Sequence, residues 1–472
     1  MPALDPDVAG LLTDLGDRFA AEGHELALVG GPVRDTLRGH PPTGDLDLTT
    51  SALPEQTLAL LGGWADTTWE VGIRFGTVGC RRGDRTLEIT TYRSDQYDPE
   101  SRKPEVSFGH SLEGDLGRRD FTVNAMALRL PSMEFVDPYG GVHDLAARLL
   151  RTPGTAEQSF SDDPLRMMRA ARFCSQLDFT VADDVVAAMT AMSERITIVS
   201  AERVRDELVR LMLTPQPRPG LALLVDTGLA SHVLPELPAL RLEVDEHHRH
   251  KDVYEHSIVV LEQAIALESA HSPASGPDLV LRMAALLHDI GKPRTRRFED
   301  GGGVSFHHHE VVGARMVRKR LAALRFSNEQ IEDISRLTEL HLRFHGYGSG
   351  DWTDSAVRRY VRDAGDLLVR LHKLTRADCT TRNRRRAELL QRTYNSLEER
   401  IEVLAAQEEL AAIRPDLDGT DIMRILGIPA GPEVGEAYRF LLDLRLDRGP
   451  LTPELAQEAL LAWWAVRPTP RG

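Results

Sequence analysis

Residues 28–50 read LVGGPVRDTLRGHPPTGDLDLTT. The apolar run 26–30 ends at Gly30-Gly31, and residues 45–50 alternate with period two, as a half-buried strand does. On a strand, residues i and i+2 face the same way, so Asp45 and Asp47 offer two carboxylates on one face. Such a pair can share Mg²⁺ ions that activate a hydroxyl and stabilise a leaving pyrophosphate in an in-line displacement. Glu88, within the strand candidate 86–92, is a candidate third carboxylate. The two glycines let backbone N–H groups come close to a triphosphate, and Arg34 on the next helical turn can grip phosphate oxygens bidentately.

Two further segments extend this pattern. Residues 115–127, DLGRRDFTVNAMA, put Arg118 and Arg119 just before an apolar stretch. One of these cations suits a phosphate or sugar, with Asp120 and Asn124 ordering the site. Residues 163–173, DPLRMMRAARF, open with Asp163-Pro164, a good helix start, followed by Arg166, Arg169 and Arg172 at steps of three. A carboxylate beside a guanidinium can read a Watson–Crick edge. Asp163 can accept from the exocyclic amino group of cytosine or adenine while Arg166 donates to the ring nitrogen. Uracil and guanine present the opposite pattern. Arg169 and Arg172 would support this pair.

Further along, the chain is dense in histidine. His256, His288-Asp289, His309, His341 and Asp378 occur in the order His, His-Asp, His, His, Asp. Imidazoles and carboxylates at helix ends can converge on one or two divalent ions.

The remaining sequence bounds the reading. The 472 residues suit about three domains. With 42% hydrophobic and 27% charged residues the composition is that of an ordinary globular chain. A net charge of −15 excludes a global basic attraction to nucleic acid and disfavours a non-catalytic RNA-binding protein. Local basic patches remain at Arg294-Arg296-Arg297 and Arg382-Arg384-Arg385-Arg386. Cys80, Cys174 and Cys379 are too scattered for a disulfide framework or a paired zinc site and read as small buried hydrophobes. The N-terminus lacks a signal-peptide pattern, and no apolar run approaches the length of a membrane span, so a cytoplasmic protein without a membrane role is expected. No obligate protein partner is evident. Helices are expected at 7–22, 163–176, 183–193, 201–213 and 217–229, strands at 75–80 and 86–92, and a polar loop at 94–110.

In this order the segments resemble the class II tRNA nucleotidyltransferases, the CCA-adding enzymes and related bacterial poly(A) polymerases. GGPVRD with DLDLTT matches the family's metal and triphosphate motif, RRDFTVNA its ribose motif, and DPYGG with Asp144 its hinge. DDPLRMMRAARF matches the templating helix, with Asp162 where Glu is more usual, and SAERVRDEL the supporting helix. The likeness covers residues 25–230. From about 250 to 385 the histidine series resembles the HD phosphohydrolase superfamily. That pairing, with the tail GTDIMRILGIPAGPEVG, resembles the HD-bearing CCA-adding branch.

The resemblance implies an α+β nucleotidyltransferase head with a small, five-stranded mixed sheet, then an all-α neck, HD-type body and tail. The segments would be 1–150, 151–245, 246–400 and 401–472. It implies Mg²⁺ in the head, CTP and ATP as substrates, a tRNA 3′ end as acceptor, and template-independent addition of C, C and A. Gly30, Gly31, Arg34, Arg118, Arg119, Asp120, Asn124, Asp163, Arg166, Arg169 and Arg172 would bind nucleotide. In the HD body His256, His288, Asp289 and Asp378 would hold Ni²⁺, Co²⁺ or Mn²⁺, with His309 and His341 contacting substrate. The competing readings are an A-adding or CC-adding specialist, or an HD phosphohydrolase whose head binds nucleotide without catalysis. The family needs a loop like 94–110 to switch from CTP to ATP, so its presence favours full CCA addition.

Overall fold

The computed structural model describes residues 4–40, 45–73, 76–96, 105–109, 111–242, 253–299, 304–344, 352–380, 383–408 and 413–467. Two compact units divide the chain, Met1–Pro238 and Ala239–Gly472.

The first unit starts with the helix Pro6–Ala21. Asp5 caps it by accepting from the Asp7 N–H, Pro6 begins it, and Val8, Leu12, Leu15 and Phe19 form its buried stripe. The central sheet runs β1 (Leu26–Val29), β2 (Leu46–Thr50), β3 (Thr67–Trp69), β4 (Thr77–Arg82) and β5 (Arg85–Thr91). After β6 (Arg93–Gln96) and β7 (Glu105–Phe108) come β8 (Ala127–Leu130) and β9 (Glu134–Val136). The sheet order is β3-β4-β5-β2-β1-β8-β9, and β2–β5 is its parallel pair. β1 is buried at every position, as a central strand covered on both faces must be. The sheet has seven strands where five were expected. The outermost two, β3 and β9, are three residues each and extend its edges.

Segment 94–110 also departs from its loop reading. β6 and β7 pair as an antiparallel ribbon, with Arg93 opposite Phe108 and Gln96 opposite Glu105. Glu-Val-Ser-Phe alternates with period two and so favours a strand. The Pro and Ser that suggested a loop include Pro99, Ser101 and Pro104, and residues 97–104 and 110 lie outside the described residues.

Helices then dominate: Ala156–Asp162, Leu165–Leu177, Asp183–Met192, Ala201–Met212 and Arg218–Asp226. In the second unit Val253–Ala270, Leu279–Leu287, His309–Ala323, Asn328–Leu340 and Leu368–Ala377 surround the histidine series. Arg384–Gln407 follows. The last helices, Gly419–Leu426, Pro432–Arg448 and Pro453–Val466, share a small core of Ile422, Ala437, Leu441, Ala456 and Leu460. Of the cysteines only Cys80 is buried; Cys174 and Cys379 are half-buried. Among the described residues no helix is long and apolar enough to cross a membrane.

Candidate active site and metal centre

β2 alternates Leu46 and Leu48, buried in the core, with Asp47 on the open face. Parallel pairing sets Asp47 directly opposite Glu88, which likewise stands between buried Leu87 and Ile89. Asp45, one step before β2, is on the same exposed side as Asp47. The protein packed around Asp47 raises its carboxyl above the ordinary range against the pull of Arg119, and Asp45 raises it further. For Glu88 the causes are desolvation, then the charges of Asp47 and Asp45. Mutual repulsion of this kind is relieved by a cation, so the donor set fits Mg²⁺. Among the described residues the close groups of three metal-competent side chains lie in the second unit. Asp45, Asp47 and Glu88 do not form such a close group of three.

Gly30 has φ 75°, a left-handed conformation suited to glycine. A Cβ there would lie 3.2 Å from Arg119 Nη1 and 3.8 Å from Asp47 Oδ2, so the glycine leaves a recess between cation and carboxylate. Arg118 and Arg119 follow the short helix Leu112–Gly117. Buried Asp115 accepts from Arg118 Nε and Nη2 at 3.0 and 2.7 Å, from Arg119 Nη2 at 3.4 Å, and from Thr49 Oγ1 at 3.1 Å. Burial opposes the Asp115 charge, but Arg119 and Arg118 hold its carboxyl below the usual range.

A buried polar chain joins this recess to the helix Leu165–Leu177. Arg34 donates twice to Asp35, at 2.9 Å each, and once to Asn124 Oδ1 at 2.7 Å. Asn124 Nδ2 donates to Asp120 Oδ1 at 2.9 Å, and Arg169 Nε to Asp120 Oδ2 at 2.7 Å. Glu207 takes Arg172 Nε at 2.6 Å and lies 3.6 Å from Arg169. The guanidinium of Arg172 covers the Phe173 ring at 4.0 Å, with Arg169 and Arg34 at 5.4 and 5.5 Å. Burial pushes the Asp120 carboxyl up, yet Arg169 and Asn124 hold it far below the carboxylate range.

Asp163 and Arg166 come one turn apart at the start of that helix, where the Arg166 N–H donates to the Asp163 carbonyl at 3.0 Å, but their side chains take other partners. Asp163 Oδ1 accepts from the Leu165 N–H at 3.1 Å, and Oδ2 from Arg203 at 2.8 Å. Arg166 donates to Ser159 Oγ at 2.8 Å and to the carbonyl of Arg118. Sequence reading missed Asp115, Arg203 and Glu207. The last two were legible as an i,i+4 pair on one face of Ala201–Met212.

In the second unit six side chains converge from five helices or their ends. His256 lies inside Val253–Ala270, while His288, His341 and Asp378 are C-caps and His309 begins its helix. Asp289 follows His288. His256 Nε2 is 3.0 Å from Asp378 Oδ1, 3.2 Å from His288 Nε2 and 3.5 Å from Asp289 Oδ2. His309 and His341 Nε2 face Asp289 Oδ1 at 3.2 and 3.9 Å. A Cβ on Gly291 would meet the His309 carbonyl at 2.1 Å, so glycine there permits the close approach of the two segments. Burial alone would lower His288, but Asp289 raises it to about 9. Burial and then His288 push His341 down to about 3. His309 Nε2 is buried without a hydrogen-bond partner. Such a donor set fits divalent metal ions.

Three family models match: "Poly A polymerase head domain" over residues 26–151, "Probable RNA and SrmB-binding site of polymerase A" over 178–240, and "HD domain" over 253–383. The A-adding tRNA nucleotidyltransferase of Deinococcus radiodurans is 35% identical over 447 residues, 93% of this chain and 95% of that one. The CCA-adding enzyme of Geobacillus thermodenitrificans is 42% identical over 212 residues, 45% of this chain and 51% of that one. In fold the chain is similar to the Bacillus stearothermophilus CCA-adding enzyme in complex with CTP. The TM-score is 0.65 at 24% identity, covering 98% of this chain and 99% of that one. It is also similar to the Thermotoga maritima CCA-adding enzyme complexed with tRNA, at TM-score 0.59 and 17% identity, over 98% and 96%.

Proposed function

The chain belongs to the family of A-adding and CCA-adding tRNA nucleotidyltransferases, and from that premise we propose that it adds C, C and A in turn to tRNA 3′ ends from CTP and ATP. The observation that carries the reading is the buried chain from Arg34 through Asn124, Asp120 and Arg169 to Glu207. It ties the triphosphate side of the recess to the helix that carries Asp163 and Arg166, so a base can be judged by rigid protein groups without a nucleic-acid template.

Asp45 and Asp47 would hold Mg²⁺, in a two-metal arrangement with triphosphate oxygens, supplying charge neutralisation and an activated 3′-hydroxyl. Glu88 stays beside them as a reserve carboxylate. Gly30 and Gly31 admit the triphosphate, and Arg119, held by Asp115, leans over it. Arg34 works by fixing Asn124 and Asp120, which order the sugar side. Asp163 meets the amino group of C or A once its Arg203 partner yields, and Arg166 meets the ring nitrogen. Arg118, Arg169 and Arg172 hold these groups in place.

We assign the segments as head 1–150, neck 151–245, HD body 246–400 and tail 401–472, working on cytoplasmic tRNA. The body would hydrolyse cyclic or terminal phosphates at tRNA ends with Ni²⁺, Co²⁺ or Mn²⁺ on His256, His288, Asp289 and Asp378. Basic patches are candidates for RNA contact; Arg382 of one patch lies outside the described residues.

One observation favours a second reading. The relative matched over nearly the whole chain is an A-adding enzyme, while the cited CCA-adding relative matches less than half of it. Two acceptors separate the readings: tRNA lacking all of CCA, and tRNA ending in CC. Full addition predicts that CTP alone extends the first by two residues and that ATP completes it. An A-adding specialist extends only the second.

A further inference from the structure

Phe298 is a large apolar side chain left 74% exposed. It lies on a two-stranded ribbon, Arg297–Phe298 paired antiparallel with Val304–Ser305, where Phe298 stands opposite Val304. A ring on so short a ribbon is not there to fill a core. The guanidinium of Arg296 covers one face of it, 4.7 Å from the centroid, and the exposure leaves the opposite face to solvent.

Cations gather around this ring. Arg294 and Arg297 are exposed, and neither makes an ion pair among the described residues. Glu299, the next residue, is engaged inside the ribbon, where it accepts from Ser305 Oγ. On a chain of net charge −15, unneutralised guanidinium groups beside an open aromatic face suit a polyanion that carries flat rings. Single-stranded nucleic acid is that ligand: its bases stack on the ring and its phosphates pair with the arginines.

The ribbon is rooted in the histidine centre. The Lys292 ammonium is 3.0 Å from Asp289 Oδ2 and 5.6 Å from the centre of the Phe306 ring. Phe306 follows the second strand directly, and its carbonyl lies 2.8 Å from His309 Nδ1. Successive Cα atoms are about 3.8 Å apart and paired ones about 5.5 Å, so the Cα atoms of Phe298 and Phe306 lie within about 13 Å. A strand whose terminal phosphate enters the centre therefore passes the exposed ring.

We propose that Phe298, backed by Arg296, is a stacking platform for the last bases of a single-stranded RNA end, with Arg294 and Arg297 on its phosphates. It deepens the phosphohydrolase reading above, on which it rests for the fate of the end so held, by making nucleic acid the substrate class.

The test uses the full chain, Mn²⁺ and two RNAs that end in a 2′,3′-cyclic phosphate, one on cytidine and one on an abasic ribose. Phe298→Ala should raise KM for the first about tenfold with kcat unchanged, shift KM for the second by less than about twofold, and be rescued by Phe298→Trp. Arg294→Ala combined with Arg297→Ala should raise KM for both RNAs and flatten its salt dependence. An equal effect of Phe298→Ala on both RNAs, or no effect on either, overturns the platform. A 4-thiouridine in place of the terminal cytidine reads binding without catalysis, and irradiation should crosslink it to the peptide that holds Phe298. If the wild type hydrolyses neither RNA but crosslinks there, the platform stands and the phosphohydrolase reading fails. Crosslinks confined to Met1–Pro238 overturn the platform. So does a ribbon that polyglutamate shields from trypsin while RNA does not, which would make it a site for acidic protein.

Discussion

Asp120 shows how single residues carry the head. Its carboxylate is buried, yet Arg169 and Asn124 keep it charged far below the usual carboxylate range. A carboxyl lowered on folding stabilises the native state above its unfolded value of ~3.9 and loses that contribution as pH falls below it. Asp120→Asn should therefore cost roughly 1–3 kcal/mol at neutral pH, because half-buried Arg169 loses its nearer counter-charge and keeps only Glu207 at 3.6 Å. The deficit should shrink as the wild type is acidified below pH ~4. Hydrogen exchange along Leu165–Leu177, compared at pH 7 and below 4, reads this; an equal deficit at both pH values contradicts it. Asp163 tests base choice. Asp163→Ala should relax discrimination against UTP and GTP by about one to two decades, since a lost paired edge is worth roughly 1–3 kcal/mol. Equal slowing of all four nucleotides would leave Asp163 as a helix cap alone. Asp45, Asp47 and Arg166 were legible from spacing because strand and helix periods fix their sides. Asp115 was not, because a buried partner for an arginine is chosen by tertiary packing that no local pattern encodes.

At the scale of elements, the sequence carried most helices through caps and apolar stripes. Pro6–Ala21 begins at an Asp-Pro pair, and Ala201–Met212 is capped by Ser200, which accepts from Arg203 N–H. The β6–β7 ribbon was hidden because its strands are four residues each, too short for a period to stand out beside Pro and Ser. The same brevity hid edge strands β3 and β9. The ribbon has a functional prediction attached. Replacing residues 97–104 by two glycines should slow A addition to a CC-ending tRNA at least ~10-fold more than C addition, a difference of ~1.4 kcal/mol in barrier. Single-turnover rates for the two steps give the ratio. An unchanged ratio means the ribbon does not serve the change from CTP to ATP.

Across the whole molecule, each of the two units holds a full set of chemical groups. The DLD carboxylates and their arginines lie in Met1–Pro238, and the histidine centre in Ala239–Gly472. Neither set lacks a ligand that the other would supply. Asp289→Ala is accordingly expected to abolish phosphohydrolysis while leaving nucleotide addition within about threefold, the ~0.7 kcal/mol scatter of independent sites. Loss of addition in a folded Asp289→Ala protein would contradict that independence. The order of two such different textures was readable from residue spacing alone, whereas the pairing of Asp289 with His309 and His341 needed the fold. The central claim, protein-directed addition at the DLD carboxylates, is tested most directly by gel-resolved extension of a tRNA lacking its CCA. All four nucleotides are supplied, to the wild type and to Asp47→Ala in parallel, with tRNA binding measured on both. The account predicts that the wild type adds C, C and A and stops, while Asp47→Ala binds tRNA but retains less than about a tenth of the rate, a loss of several kcal/mol of transition-state stabilisation. Addition by Asp47→Ala at near the wild-type rate, or indiscriminate use of all four nucleotides by the wild type, would contradict it.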